Sequence, residues 1–512
     1  MKLRLLLLLV IAECLVSSAF AQLTAGDVSR VVEQAITRAV MISPNSVIAV
    51  TDREGDVLGV WVVRGGGATY PEIASSVSKA GTAAYLSSNQ EAFTSRTAGF
   101  IIQQHFPPGV FNTAPGPLVG VGLSNLFVSD INKFRAPGSV ITFSPAPGKM
   151  IKSVPFTSLD GSPGGVPLYK NGQLVGGVGV TGDGSENPFI YIAGYDKDED
   201  IALAAQRGYA PSATILASNV FINGIRLSYV NSSTLFSNTL SLRGNQDPHY
   251  PIRGAPVPFA YPVATLGGVP GQIRQPIRSD PMLGTINGQP RLTQSEVINI
   301  LSRAAYQTSI TRAAIRLPIG VPMKAFITVV NNPNVDGIAP TVLGTFRTGE
   351  ATLFSWDVAV QKARTVVYYS RHDCLHFGLN VAMSVRCVGF LAQCNYPPGI
   401  DGNAPGPFNG NQEIFSGFSG NHCNPAGIRF INAGFNSALP NGITIFPGAF
   451  GLYRNGVLVG AIGISGDGVD QDDLAGAAGT HDFLAPTAIR SDQFFYRGVR
   501  LPYAKFPRDW QL

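Results

Sequence analysis

The stretch LYKNGQLVGGVGVTGDG at residues 168–184 returns as LYRNGVLVGAIGISGDG at residues 452–468. Each copy reads as two extended segments around Asn-Gly, the pair that tolerates the positive φ of a tight hairpin turn. Near-identity at such a separation requires a repeated ribbon or a repeated domain. The sequence around the two copies decides between them.

The self-similarity reaches well beyond the ribbon. Leu23-Thr24-Ala25-Gly26-Asp27-Val28 matches Leu292-Thr293-Gln294-Ser295-Glu296-Val297, each placing Thr at a helix N-cap with an acid three residues on. Val28, Val31, Val32, Ala35, Ile36 and Ala39 then form an apolar helical stripe. Residues 47–50 and 326–330 read as strands, each followed by a polar turn and a second strand opening Val57-Leu58-Gly59 or Val342-Leu343-Gly344. Lys79-Ala80-Gly81-Thr82 aligns with Lys362-Ala363-Arg364-Thr365 on a further helix, and Arg96-Thr97-Ala98-Gly99-Phe100 aligns with Arg386-Cys387-Val388-Gly389-Phe390. Both copies pass through Pro-Pro-Gly and Ala-Pro-Gly-Pro into a long Gly/Pro-rich loop before the ribbon. A last helix carries Asp200-Ile201-Ala202 in one copy and Asp473-Leu474-Ala475 in the other.

The order helix, hairpin, two helices, long loop, hairpin, helix predicts an α+β fold. Two similar domains are expected, each a mainly antiparallel sheet of two hairpins packed with helices in a profilin-like layer arrangement. The 512-residue length agrees, because a single core rarely grows past about 250–300 residues. The expected divisions are a signal peptide at 1–21, a first domain at 22–230, a Pro/Gly-rich linker at 231–290 and a second domain at 291–503. The linker's prolines make it extended and semi-rigid.

Lys2 and Arg4 precede an apolar run at residues 5–12, and Ala19 and Ala21 occupy the small-residue positions of a cleavage site after Ala21. Export to a periplasm or to the exterior is therefore expected. Removal of the signal leaves Cys374, Cys387, Cys394 and Cys423, enough for up to two disulfides in three connectivities. On one continuous helix Cys387 and Cys394 would stand about 10.5 Å apart, too far to bridge. Charged residues make up 13% of the chain, with a net charge of +5 and no Lys/Arg run, a balance that argues against a nucleic-acid partner.

The Leu-Thr helix opening, the Lys-Ala-x-Thr helix, the ribbon PGGVPLYKNGQLVGGVGVTGDG and the acidic, Ala-rich last helix together resemble the GlcG/HbpS-like haem-binding (haem-degrading) family. That family is related to the C-terminal domain of PduO-type corrinoid adenosyltransferases. The resemblance spans roughly residues 23–207 and 292–482. It implies an oligomer-forming α+β domain that takes up haem or a similar planar ligand non-covalently, with no shared catalytic constellation. In a tandem chain it implies intramolecular pairing of the two domains, with a homo-oligomer as a further partner state.

Candidate ligands follow from residue type. His372 and His376 lie four apart within seven residues that the second copy adds, a spacing that puts both on one helical face for a metal or for haem iron. His105, before Pro107-Pro108, is a further axial candidate. Lys79, Lys362, Arg96 and Arg386 occupy matched places and could pair with haem propionates. For all seven, a surface or internal structural role competes. Thr181-Gly182-Asp183-Gly184 and Ser465-Gly466-Asp467-Gly468 carry a carboxylate where an anion would sit, and so read as strand-exit turns needing positive φ. No Gly-x-Ser-x-Gly, His-Glu-x-x-His or Cys-x-x-Cys-His occurs, which removes those hydrolase signatures and covalent haem attachment. The expected function is an exported haem-binding protein for uptake, storage or sensing. The alternatives are a non-catalytic assembly module of an exported complex and a small-molecule enzyme with a loop-built site.

Overall fold

The computed structural model describes residues 21–120, 159–187, 191–258, 260–318, 320–371, 381–409, 418–419, 429–430 and 436–505. The expected signal segment up to residue 20, Cys374, Cys423, His372 and His376 lie outside these residues.

The first half runs α1 (Ala25–Ile42), β1 (Val47–Asp52), β2 (Val57–Val62), α2 (Tyr70–Leu86), α3 (Ser95–Ile101), β3 (Gly165–Lys170), β4 (Gln173–Thr181) and α4 (Lys197–Ala205). A small ribbon, β5 (Phe221–Ile222) with β6 (Ile225–Arg226), follows, and then the short strand β7 (Asn245–Gln246). Strands β8 (Val263–Leu266) and β9 (Val269–Gln275) precede α5 (Gln294–Ile310), β10 (Ala325–Asn331), β11 (Val342–Thr348), α6 (Phe354–Arg371) and α7 (Val385–Leu391). The ribbon β12 (Phe418–Ser419) with β13 (Arg429–Phe430) comes next, then β14 (Ala449–Arg454), β15 (Val457–Gly466), α8 (Val469–Gly479) and the ribbon β16 (Phe495–Tyr496) with β17 (Val499–Arg500). The fold is α+β with two similar halves. The sheets run β3-β4-β1-β2-β7 and β14-β15-β10-β11-β9-β8, antiparallel at every pairing.

The two halves agree down to single residues. Bulges fall between Val50 and Thr51 and between Val329 and Val330, and again between Leu168 and Tyr169 and between Leu452 and Tyr453. The ribbon turns have φ of 53° and 74° at Asn171-Gly172, and 48° and 81° at Asn455-Gly456. Thr24 and Thr293 cap their helices, with Asp27 and Glu296 closing the capping boxes. The basic residue of each ribbon turn then reaches that acid: Lys170 Nζ lies 2.8 Å from Asp27, and Arg454 pairs with Glu296. One repeated motif thus fastens the other.

Hydrogen bonding shifts the expected match of the last helices by one residue. Tyr169 N donates to Tyr209 O and Tyr453 N to Phe483 O, which places Asp198 opposite Asp472 and Glu199 opposite Asp473. A further repeat follows each last helix. Ala92 bridges Leu216, as Ala382 bridges Arg490, and the capping hydroxyls of Thr94 and Ser384 donate to Tyr229 O and Tyr503 O. Each tail thereby holds the start of α3 or α7.

Residues 231–290, expected as a linker, do more than connect. Pro251-Ile252-Arg253 lies along β2 and Pro276-Ile277-Arg278 along β11. Arg253 N donates to Leu58 O at 2.8 Å, and Arg278 N to Leu343 O at 2.9 Å. Proline is tolerated here because an edge strand pairs on one side alone.

Candidate functional site

Three features combine polar chemistry with burial: a charged cradle under each ribbon and a cavity where the halves meet.

In the first cradle, Lys79 on α2 is fully buried. Its Nζ donates to Val180 O at 2.9 Å, Glu186 at 2.9 Å and Asp198 at 3.1 Å, which uses all three ammonium hydrogens. Burial disfavours the ammonium, but the charges of Glu186, Asp198 and Asp160 outweigh it and raise the Lys79 pKa. In the second cradle, Lys362 is equally buried and donates to Ile464 O and to Asp472, both at 2.8 Å. With fewer carboxylates beside it and Arg386 near, burial prevails and its pKa falls. Arg96 makes a two-pronged pair with Glu199, and Arg386 pairs with Asp470 and Asp473. Lys79, Lys362, Arg96 and Arg386 are thus each engaged by carboxylates of their own half rather than gathered at a shared pocket.

The Gly-Asp-Gly turns depart from the positive-φ expectation. In the first copy neither Gly182 nor Gly184 has positive φ, while in the second Gly468 does, at 139°. Glycine is needed in the first copy for space: a Cβ on Gly184 would stand 2.6 Å from the Asp198 carboxyl carbon. Gly182 N and Gly184 N donate to the two Asp198 oxygens at 3.2 and 3.3 Å. The loop does cradle an anion, and the anion is the chain's own carboxylate.

These buried acids set a pH dependence. Burial pushes Asp160 up to about 6 and Asp198 and Asp472 up to about 7, with the neighbouring lysines opposing the shift. A carboxyl whose pKa is higher folded than unfolded holds a proton that the unfolded chain releases. Its favourable contribution is complete below the unfolded value near 4 and disappears as pH rises through 6–7. The thermal midpoint is expected to fall between pH 5 and pH 8, checked by scanning fluorimetry at constant ionic strength. A midpoint that is flat or rises would contradict the assignment.

The halves meet through a core that joins Leu86, Phe93 and Ile101 of the first to Phe354, Val358 and Phe446 of the second. Arg316 ties the junction: its Nε donates to Asp467 at 3.0 Å and its Nη1 to Ser87 O at 3.1 Å, while Ser88 Oγ donates to Arg316 O at 2.9 Å. Asn112 and Asp401 exchange two hydrogen bonds of 2.9 and 3.0 Å. His105 lies beside them, four residues past the end of α3, with Nε2 3.6 Å from Asp401. Its Nδ1 is sheltered and has no hydrogen-bond partner among the described residues. A cavity of about 250 Å³ also lies at the junction, bordered by Arg53 and Glu54 of the first half, Arg274, Arg347 and Glu350 of the second, and Pro256 between them.

The model of the family described as "Haem degrading protein HbpS-like" matches residues 23–205 and 335–481, more than half of the chain. The chain belongs to the HbpS-like family. Its second match starts after α5 and β10, although these elements take the places of α1 and β1 in the second HbpS-like unit. The tails beyond residues 205 and 481 lie outside the matched segments. No curated protein matches the chain. Among solved structures, Klebsiella pneumoniae protein ORFY is 18% identical over 38% of this chain and 93% of its own, with a TM-score of 0.20. A Streptomyces reticuli HbpS double mutant is 17% identical over 38% and 90%, with a TM-score of 0.22. A structure described as a PduOC:heme complex is 19% identical over 36% and 94%, with a TM-score of 0.20.

Within the HbpS-like units, the partners of the lysines and arginines went unread in the sequence, although the acidic start of each last helix was the available signal. Arg316, Arg274 and Arg347 were missed altogether. Aligning the copies sets Arg347 against Val62, an inward strand position in both, and a charge at such a position was the clue. Cys387 carries a free, buried thiol, so the four cysteines form one disulfide at most, not two. α7 ends at Leu391, short of Cys394, so the two cysteines do not share a continuous helix. Among the described residues no group of three or more His, Cys, Asp or Glu is arranged to hold a metal ion, and no helix is long and apolar enough to cross a membrane.

Proposed function

We propose that this chain is an exported protein that binds haem non-covalently, with its two HbpS-like units acting as an intramolecular pair. The observation that carries the reading is the family match in both halves. Contacts from Arg316, Asn112 and the shared core support the pairing, since fusion raises the effective concentration of one unit for the other into the millimolar range. The amino-terminal signal pattern supports export to the periplasm or outside the cell.

The residues present fit a nitrogen ligand better than they fit the propionate partners first expected. His105 keeps a sheltered ring nitrogen at the junction, and His372 and His376 are further imidazoles on the second unit. Lys79, Lys362, Arg96 and Arg386 are already neutralised within their units. Bound haem would supply an iron centre for uptake, storage or sensing. The protein's part would be to present an imidazole and to shield the ring from water.

The test is a haemin titration of the purified chain. A Soret band saturating at a stoichiometric ratio is expected, and it should shift or vanish in one of His105→Ala, His372→Ala or His376→Ala. Absence of any spectral change at stoichiometric haemin would overturn the reading in favour of an assembly module. A band unchanged in all three variants would overturn the ligand assignment.

A further inference from the structure

We propose that a groove on the first unit, between α1, α4 and residues 232–241, binds a single-chain carboxylate of the fatty-acid class. The inference goes beyond haem binding and does not depend on it, because no histidine lines the groove.

The groove has a fixed frame. Ser232 N donates to Glu199 at 2.8 Å and Ser241 N to Thr37 Oγ1 at 2.8 Å, so the chain between them crosses from α4 to α1. At mid-span Arg207, just past α4, donates to Ser237 O at 3.1 Å. The space enclosed measures about 400 Å³, within the ~300–1,000 Å³ of pockets for drug-sized ligands. Met41, Leu235, Phe236 and Leu240 line it and are all exposed, a gathering of large apolar side chains that marks a ligand groove or an interface. A stable protein interface takes ~800 Å² from each partner. Four side chains around a concavity suit an alkyl chain better.

Charge decides the head of the ligand. No aspartate or glutamate is among the lining residues. Of the two arginines that line the groove, Arg38 is neutralised by a two-pronged pair with buried Asp200, at 2.9 and 2.7 Å. Arg207 has only the neutral oxygens of Ser237 and Asn238 for acceptors, and no carboxylate partner among the described residues. Its guanidinium lies 5.2 Å from the centre of the Phe236 ring, so the uncompensated cation adjoins the apolar wall. A carboxylate at Arg207 supplies the missing counter-charge at the rim, and its chain covers Phe236, Leu235, Leu240 and Met41. An amine would meet an unpaired cation, and an inorganic anion would leave the apolar surface bare.

Calorimetric titration of the purified full chain with octanoate at pH 7 tests this, with hexanoate, octanol and octylammonium as comparators. Octanoate is expected to bind saturably, one per chain, and about tenfold more tightly than hexanoate because two more methylenes leave water. Octanol should bind several-fold more weakly, the modest worth of an exposed ion pair, and octylammonium more weakly still. Arg207→Gln should abolish the preference for octanoate over octanol, and Phe236→Ser should lower octanoate affinity several-fold. Both side chains are exposed, so both variants should fold. Equal binding of octanoate and octanol to the parent, or unchanged octanoate affinity in Phe236→Ser, overturns the proposal. So does a concentration-dependent dimer that Phe236→Ser dissolves in sedimentation while octanoate fails to bind, which gives the face to a second copy of the chain. A haemin titration unaltered by saturating octanoate would show the two sites to be separate. Competition would make the groove part of the haem site and overturn the inference of an independent site.

Discussion

Replacing Lys79 by methionine is expected to cost about 3–5 kcal/mol, the range for removing one partner of a buried ion pair. The variant leaves Asp198 and Asp160 inside the first unit with no ammonium between them, and Glu186, which is 39% exposed, can relieve itself only by turning outward. The corresponding Lys362→Met change should cost markedly less, about 1–3 kcal/mol. There a single carboxylate, Asp472, accepts from the ammonium, so fewer buried acids are left without their cation. Urea unfolding of both variants at pH 7, with the midpoints compared, measures the asymmetry. A Lys362→Met variant as damaged as Lys79→Met would show that the two cradles are not charged differently.

The second large effect concerns the ribbon's glycines. Gly179 and Gly463 face the helices that cross the sheets, where an added Cβ would drive into Ser76 O and Ala359 O respectively. Backbone carbonyls of packed helices cannot swing aside as a side-chain tip can, so α2 and α6 would have to lift off their sheets. Gly179→Ala and Gly463→Ala are each expected to lose about 1–3 kcal/mol or more, as overpacked cores do. Gly67→Ala, with nothing within 4 Å of the added carbon, should stay within about 0.5 kcal/mol of the parent. Thermal unfolding of the three variants is the measurement. Gly179→Ala and Gly463→Ala midpoints no lower than that of Gly67→Ala would refute the close-approach account.

These two predictions mark what was legible in the sequence. The capping boxes, the Asn-Gly turns and the order of elements were readable because each depends on residues a few places apart. The purpose of the glycines was not, because the atoms that forbid a side chain at 179 belong to a helix about a hundred residues earlier. The roles of Lys79 and Arg96 were hidden in the same way, since their partners Asp198 and Glu199 sit about a hundred residues later on α4. The pairing of the connector with the sheet edges was not readable, because proline content signals an extended chain without saying whether a sheet edge lies beside it. His372 and His376 fall outside the described residues.

The strands drawn from the connector carry a consequence for dissection of the molecule. A fragment stopped at residue 230 would forfeit the backbone partners that Tyr250 and Arg253 give to Val60 and Leu58, and one begun at residue 291 would strip β8 and β9 from β11. Either piece would bare a row of unsatisfied amides and carbonyls, an invitation to aggregate. A cut that leaves both sheets their edge partners therefore falls inside the Pro-rich segment, past Ala255 and before Val263.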